Sequence, residues 1–362
     1  MLMVVLGIDA HKRTHTVVAV DEAGRQLGVR VTQSTSTAAH LELVRWAGRF
    51  GPGRVWAVED CRSLSRRLEA DLLAAGEVIV RVPPKLMAGA RRSARTYGKS
   101  DPIDAQAVAR AALREPGLPA ARLDGPEREV RLLADHREDL VAGRTRMMNR
   151  LRWHLHELDP SFDPGPRTLT RDKTIATVCA LLAGRDGLVA RIAADLAARI
   201  AGLTAEIRAL EKEISVLVRP LAPTLLSLPG PGELTAAKIV GETAGIDRFR
   251  SQSAYARHDR TAPLPAWSGN QTRHRLSRTG NRQLNCAIHR VAVTQIRCHL
   301  RTQDFMAKRT SAGDSKPEAL RALKRHLSDK IYQAPWLTPR LQQPPTSARQ
   351  LDIRGATRVG EC

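Results

Sequence analysis

The stretch VVLGIDAHKRTHTVVAVDEAGRQLGVRVTQS, residues 4–34, decides the fold. VVLGID at 4–9 is a short apolar run, the pattern of a strand buried on both faces. HTVVAV at 15–20 is a second strand, DEAGR supplies a turn, and QLGVRVTQS at 26–34 alternates like a third. Going outward, AAHLELVRWAGRF at 38–50 reads as a helix, RVWAVE at 54–59 as a strand, 63–75 as a helix and EVIVRV at 77–82 as a fifth strand. GKSDPIDAQAVAR at 98–110 then opens a further helix, with Asp101 as N-cap, Pro102 at the first helical position and Asp104 in the first turn. Hairpin-linked strands followed by strand–helix–strand crossovers predict a mixed sheet covered by helices, an α/β N-terminal domain over 1–125.

The rest of the 362 residues turns helical. Residues 126–158 and 187–218 both carry helical periodicity, with DPSFDPGPRTLTRDK at 159–173 as a loop between them. Val189, Ile192, Leu196, Leu203, Ile207, Leu210, Ile214 and Leu217 fall at spacings near three and four. That predicts a coiled-coil linker over 126–218: a helix pair, a dimer contact, or one amphipathic helix on its own core. Residues 219–335 form a mostly α C-terminal domain of short helices. The Pro-containing, aperiodic 336–362 reads as a disordered tail.

Lys and Arg number 58 against 37 acids, a formal net charge of +21. A folded chain this basic repels itself unless a polyanion neutralises it, and nucleic acid is the expected partner. The five cysteines are scattered without a C-x-x-C pair, which argues against a disulfide framework. Cys286, His289, Cys298 and His299 fit no common zinc spacing. No apolar run reaches membrane-spanning length, so a cytoplasmic protein without membrane contact is expected.

Asp9 ends the first strand, Glu59 ends the fourth, and Asp101 and Asp104 begin the helix after the fifth. Each alone is an ordinary turn or cap residue. Together they match a ribonuclease H-like arrangement, in which the first and fourth strands are neighbours. Converging carboxylates repel. Mg²⁺, a hard cation satisfied by few carboxylates plus water and phosphate, makes the cluster tolerable, and two ions would clamp both oxygens of a phosphodiester exchange. Arg91, Arg92, Arg95 and Lys99 in the basic lead-in would hold the phosphate backbone beside them.

In the second half, Gly230 and Gly232 of LPGPGE offer backbone amides at a helix start, a phosphate-binding device. Arg273, His274, Arg275, Arg278 and Arg282 form a dense basic run. Ser268, upstream of that run, lacks the glycine-flanked elbow of an activated serine.

GIDAHK at 7–12, VED at 58–60 and KSDPIDA at 99–105 resemble the Asp-Glu-Asp-Asp motif of the insertion sequence 110 family of transposases. LPGPGELTAAKIVGE at 228–242 resembles that family's helix-hairpin-helix opening. RFRSQSAYA at 248–256 and SGNQTRHRLSRTGNRQLNCAIHRVAVTQIR at 268–297 resemble its C-terminal transposase domain, and EALRALKRHLSDKIY at 318–332 its closing helix. Trp267 stands where many members have a first serine. The resemblance implies a RuvC-like N-terminal domain and a DNA recombinase that moves an insertion element. It also implies Mg²⁺ held by Asp9, Glu59, Asp101 and Asp104, Ser268 as nucleophile with Ser277 as the weaker alternative, and a structured non-coding guide RNA. Donor and target duplex DNA would be its substrates. Bringing serine and acids together across chains would need a dimer or tetramer. Two other readings remain: a RuvC-like junction nuclease using metal-activated water, and a non-catalytic nucleic-acid-binding protein whose acids only cap helices.

Overall fold

The computed structural model describes residues 3–59, 64–92, 100–115, 117–121, 125–266 and 274–334. Ser268, Trp267, Arg273, Arg95, Lys99 and the 336–362 tail lie outside these residues, as does the side chain of Arg92. The N-terminal elements are β1 (Val4–Ala10), β2 (Thr14–Val20), β3 (Gln26–Gln33), α1 (Thr37–Gly48), β4 (Arg54–Glu59), α2 (Arg66–Ala74), β5 (Ile79–Val82), α3 (Pro84–Arg92) and α4 (Asp101–Arg114). The helical part comprises α5 (Pro126–Leu158), α6 (Asp172–Ala183), α7 (Leu188–Leu221), α8 (Pro223–Ser227), α9 (Glu233–Thr243) and α10 (Gln252–His258). A two-residue hairpin of β6 (Leu264–Pro265) and β7 (His274–Arg275) precedes α11 (Arg282–Cys298), α12 (Leu300–Ser311) and α13 (Lys316–Gln333).

The sheet order is β3-β2-β1-β4-β5, with β1–β2–β3 antiparallel and β1–β4–β5 parallel. The first and fourth strands are thus neighbours, as the ribonuclease H-like arrangement of the acids predicts. Because side chains alternate across a sheet, Leu6, Ile8, Trp56 and Val58 pack with Leu43 of α1 and Leu72 of α2 on one face. Val5, Ala57 and Val82 face α3 and α4 on the other.

Gly7 sets how close α4 comes. A Cβ there would lie 2.0 Å from the Ala105 carbonyl oxygen and 2.6 Å from the Ala109 amide nitrogen. Glycine in a strand interior is weak by propensity and marks a close backbone approach. Here it lets an alanine-rich helix rest directly on β1, with Ala105, Ala109 and Val108 buried.

Two helices were not legible as such. α3 occupies the basic lead-in, where Gly89 and the paired arginines obscure any apolar period. α6 follows the predicted 159–173 loop and buries Ile175, Val178 and Leu182 against α5 and α7. The N-terminus of α4 is also one residue earlier than expected: Ser100 is the N-cap, Asp101 the first helical residue and Pro102 the second.

α5 and α7 pack along their lengths. The buried line of α7 is Ala190, Ala193, Ala197, Ile200, Thr204, Ile207, Ile214 and Val218. Only Ile207 and Ile214 belong to the seam expected from the large apolar residues; the other six of that seam are half-buried flanks. The alanines explain the offset. Small residues let the helices approach, and the bulkier Ile192, Leu196 and Leu203 cover the sides of the contact.

α7 runs through residues 218 and 219 without a break. Its last turns join a core with Val130 of α5, Ala236 and Val240 of α9, Tyr255 of α10, Ile288 of α11 and Leu327 of α13. A buried cation ties this core to α5: Lys238 Nζ donates to Asp135 Oδ1 at 2.9 Å and Glu138 Oε2 at 3.0 Å. Burial alone pulls its pKa down, but the two carboxylates outweigh that and raise it.

Candidate active site

Asp9 and Glu59 lie one residue beyond the registered pair Ile8–Val58 of the parallel strands β1 and β4. Aligned residues in parallel strands share a face, so both acids stand on the α4 side of the sheet, at the strands' C-terminal ends. Open α/β sheets place their sites at that edge. From α4, Asp101 and Asp104 are three apart on one helix face. Asp104 is buried and Asp101 exposed.

The geometry brings these groups together. His11 Nε2 is 3.1 Å from Asp9 Oδ2 and 3.4 Å from Asp101 Oδ1. Ligand atoms of Asp9, His11 and Asp101 all lie within 4.8 Å of one another. Arg91 of α3 puts a guanidinium nitrogen 2.5 Å from Asp104 Oδ1. That approach is a charge contact only: Asp104 Oδ1 is buried with no hydrogen bond of acceptable direction. Burial raises the pKa of Asp9 above the usual carboxylate value, His11 lowers it, and Asp104 and Asp101 raise it again by like charge.

A divalent cation fits this arrangement. Several carboxylates repel one another across a few ångströms, and one buried carboxylate oxygen lacks the hydrogen bonds that would satisfy it. A hard cation answers both faults. The site therefore suits divalent-metal chemistry on an oxygen-rich substrate.

Two contributors escaped the sequence reading. His11 lies just past the strand end and carries no periodic signal. Gly7 had one, a glycine inside an apolar strand. Arg91, expected at the phosphate backbone, points its charge at Asp104. The other predicted contacts are dispersed. Gly230, at φ +102°, turns the chain between α8 and α9 where an added Cβ would lie 3.2 Å from the Val291 carbonyl oxygen of α11. Gly232 is the N-cap of α9. Arg275, Arg278 and Arg282 are exposed along β7 and the start of α11, and Ser277 is buried.

The strand order, with carboxylates at the ends of β1 and β4 and on the covering helix, defines a ribonuclease H-like domain. Residues 6–160 match the family model of transposases with the Asp-Glu-Asp-Asp motif of insertion sequence IS110. Residues 222–307 match that of the IS116/IS110/IS902 transposase family. This chain belongs to the IS110 family of transposases, the enzymes of insertion elements that cut and rejoin DNA. It is 27% identical to the 44.8 kDa protein of insertion element IS116 from Streptomyces clavuligerus, over 90% of this chain and 93% of that one. It is 27% identical to the 42 kDa protein of IS900 from Mycobacterium paratuberculosis, over 90% and 94%. For the 43.6 kDa protein of IS110 from Streptomyces coelicolor the identity is 25%, over 91% and 93%. Among solved structures it is similar to Thermus thermophilus RuvC, with 18% identity and 31% of this chain covered in each case. The TM-score is 0.25 to RuvC in complex with a Holliday junction substrate, 93% of which is covered, and 0.24 to RuvC alone, 94% covered. No described helix is long and apolar enough to cross a membrane.

Proposed function

We propose that this chain performs strand transfer between donor and target DNA for its insertion element, guided by a structured non-coding RNA. The observation that carries the reading is the gathering of Asp9, Asp101 and Asp104 around the end of β1, with Glu59 beside them on β4. These four acids would hold Mg²⁺, as two ions, with His11 orienting Asp9 and Asp101. The bound metal supplies Lewis-acid stabilisation of the phosphoryl oxygens and of the departing oxygen.

Ser268 is the nucleophile. Its Oγ forms an ester to phosphorus as the strand's P–O bond breaks. The proton that serine loses is balanced by the one that the leaving strand oxygen takes up, so the strand departs as a free hydroxyl end. Attack by the hydroxyl end of a second strand on that phosphoserine rejoins DNA and restores Ser268, so no external energy is needed. A serine hydroxyl is a weak nucleophile and needs a base or metal beside it. Ser268 must therefore meet the acid cluster, from its own chain or from a second copy in a dimer or tetramer. The net charge of +21 supports binding to both DNA and RNA.

The test mixes protein, guide RNA, Mg²⁺ and end-labelled target DNA, then denatures the sample. Label migrating with wild-type protein and absent from Ser268→Ala is the expected result. Recombination by Ser268→Ala should fall by on the order of 10⁴ or more, as loss of a nucleophile does elsewhere. An adduct that persists in Ser268→Ala moves the role to another residue, with Ser277 next to test. Free nicked product without any adduct replaces strand transfer with hydrolysis by metal-activated water. A chain that cleaves nothing in Mg²⁺ only binds nucleic acid.

A further inference from the structure

A cavity of about 450 Å³ lies in the C-terminal region, between α13, the turn after α10 and the β6–β7 hairpin. That is the size of an ordinary small-ligand site. Its walls carry six cationic side chains, those of Arg260, Arg275, Arg309, Arg321, Lys324 and Arg325, against the two acids Asp314 and Glu318.

Three of the cations are already matched. Arg309 contacts Asp314 at 2.5 Å, Arg321 lies 3.7 Å from Glu318, and Arg325 pairs with Asp329. Arg260, Arg275 and Lys324 have no carboxylate within ion-pair distance among the described residues. Lys324 is only 8% exposed, and its Nζ donates to Asn285 Oδ1 at 2.6 Å. Arg260 gives one nitrogen to the Arg278 carbonyl and leaves its buried Nε without a partner. Burial depresses the pKa of both, and the like charges of Arg282 and Arg278 depress Arg260 further. A protein gains nothing from crowding cations around a buried lysine and a half-buried arginine unless an anion relieves them. Leu276, Ala262, Pro263 and Ala322 add apolar wall beside the charge.

We infer that this cavity is a phosphate-binding pocket that takes a phosphodiester of a DNA strand together with part of its nucleoside. The basic wall receives the phosphate, with guanidinium groups suited to bidentate contact, and the apolar wall receives the sugar or base. The choice of DNA over RNA rests on the strand-transfer reading. The hairpin that lines the pocket, Pro265 paired with His274, leads directly into the chain segment that carries Ser268. Ser268 is three residues from Pro265, at most roughly 11 Å by chain length.

The test measures binding of a fluorescent single-stranded DNA oligonucleotide, and of RNA of the same sequence, to the full chain in EDTA. Two variants are used. Arg275→Gln/Arg321→Gln removes two partly exposed charges. Ala322→Trp fills the cavity and leaves net charge unchanged. Unfolding temperatures matching wild type confirm that both fold. Each variant should bind the DNA oligonucleotide roughly tenfold more weakly or worse, the effect of losing one charge-assisted contact. The arginine variant should also lower the salt slope of log affinity by about 1.4, two single-strand phosphate contacts. Inorganic phosphate, at constant ionic strength, should displace DNA from wild type and much less from either variant. DNA affinity unchanged in both variants overturns the pocket. Loss confined to the RNA overturns the assignment to DNA. Adduct formation in Mg²⁺ is read separately, so failure of Ser268 as nucleophile is visible without any change in EDTA binding, and the reverse.

Discussion

The sheet region and the C-terminal helices both bury ionisable groups, but with opposite sign. Beneath the sheet, His15 is fully buried and both its ring nitrogens lack partners. Burial, then the nearby His40 and His11, push its pKa down to about 4. Beneath the basic pocket, Asp259 is fully buried among Thr261, Ser328 and Arg325, and burial pushes its pKa up to about 7. The functional clusters repeat the contrast. Carboxylates crowd at the end of β1 and guanidinium groups crowd around the pocket. Each region concentrates one sign of charge; on the proposals above a cation would meet the first and a phosphate the second. Fixed, unmatched charge is costly to the fold and useful to the site.

The largest expected break in this symmetry comes from Asp9→Ala. Removing one acid from the proposed metal site should cost several kcal/mol of transition-state stabilisation, roughly 10³-fold or more in Mg²⁺-dependent strand cleavage. Oligonucleotide binding in EDTA should stay at the wild-type level. Normal cleavage by the variant would mean that Asp9 only ends a strand.

Gly7→Val tests whether the acids depend on the close approach of α4. The new side chain meets the Ala105 carbonyl and must push the helix away. Overpacking of this kind costs about 3 kcal/mol or more, read as a lower urea midpoint. Cleavage should fall further than the folded fraction does, because Asp101 and Asp104 move with α4. A variant as stable as wild type would show that α4 does not need the glycine.

The pH responses should oppose each other. The folded pKa of His15 lies below its unfolded value, so the unfolded chain takes up the extra proton. Its contribution is present above pH about 6.5 and is lost as pH falls toward 4. Asp259 is a carboxyl whose folded pKa is raised, so the folded state holds the extra proton. The penalty for ionising it grows as pH rises from about 4 to 7, then levels off. Against wild type, His15→Leu should flatten the acid-side loss of stability between pH 6.5 and 4. Asp259→Asn should flatten the decline between pH 4 and 7. Each difference should amount to a few kcal/mol across its window, by chemical denaturation at each pH. Same-direction responses would erase the contrast.

The smallest effect concerns Asn281, which caps α11 by accepting from the Leu284 amide at 3.0 Å and donates to Glu242 at 2.5 Å. Asn281→Ala should cost about 1–2 kcal/mol of stability, with the acid site untouched.

Much of the sheet was readable because its signals are local. The apolar run 4–9, the turn at 21–25 and the alternation at 26–34 each specify a strand within a few residues. Asp-Pro-x-Asp likewise fixes a helix start to within one residue. The order of elements gives a mixed sheet by chain-connectivity rules, but the placing of β1 beside β4 came from the likeness of the acid pattern to a ribonuclease H-like arrangement. Other features had no local signature. α3 lacks an apolar stripe that a window would detect, and α6 hides behind a proline- and glycine-rich loop. The contact face of α7 was offset because alanines, silent in a count of large apolar residues, form the contact.

The sequence by itself determined the class of the N-terminal fold, the four acids at its edge and the basic character that demands a polyanion. Those follow from residue type and spacing along the chain. Only the tertiary structure decided that His11 joins Asp9 and Asp101, that Gly7 lets α4 lie against β1, and that Arg91 turns to Asp104. It also decided that Arg260, Arg275 and Lys324, separated by up to 64 residues, wall one cavity. Such meetings depend on which surfaces the helices bury against one another, and that is set by the packing of the whole core.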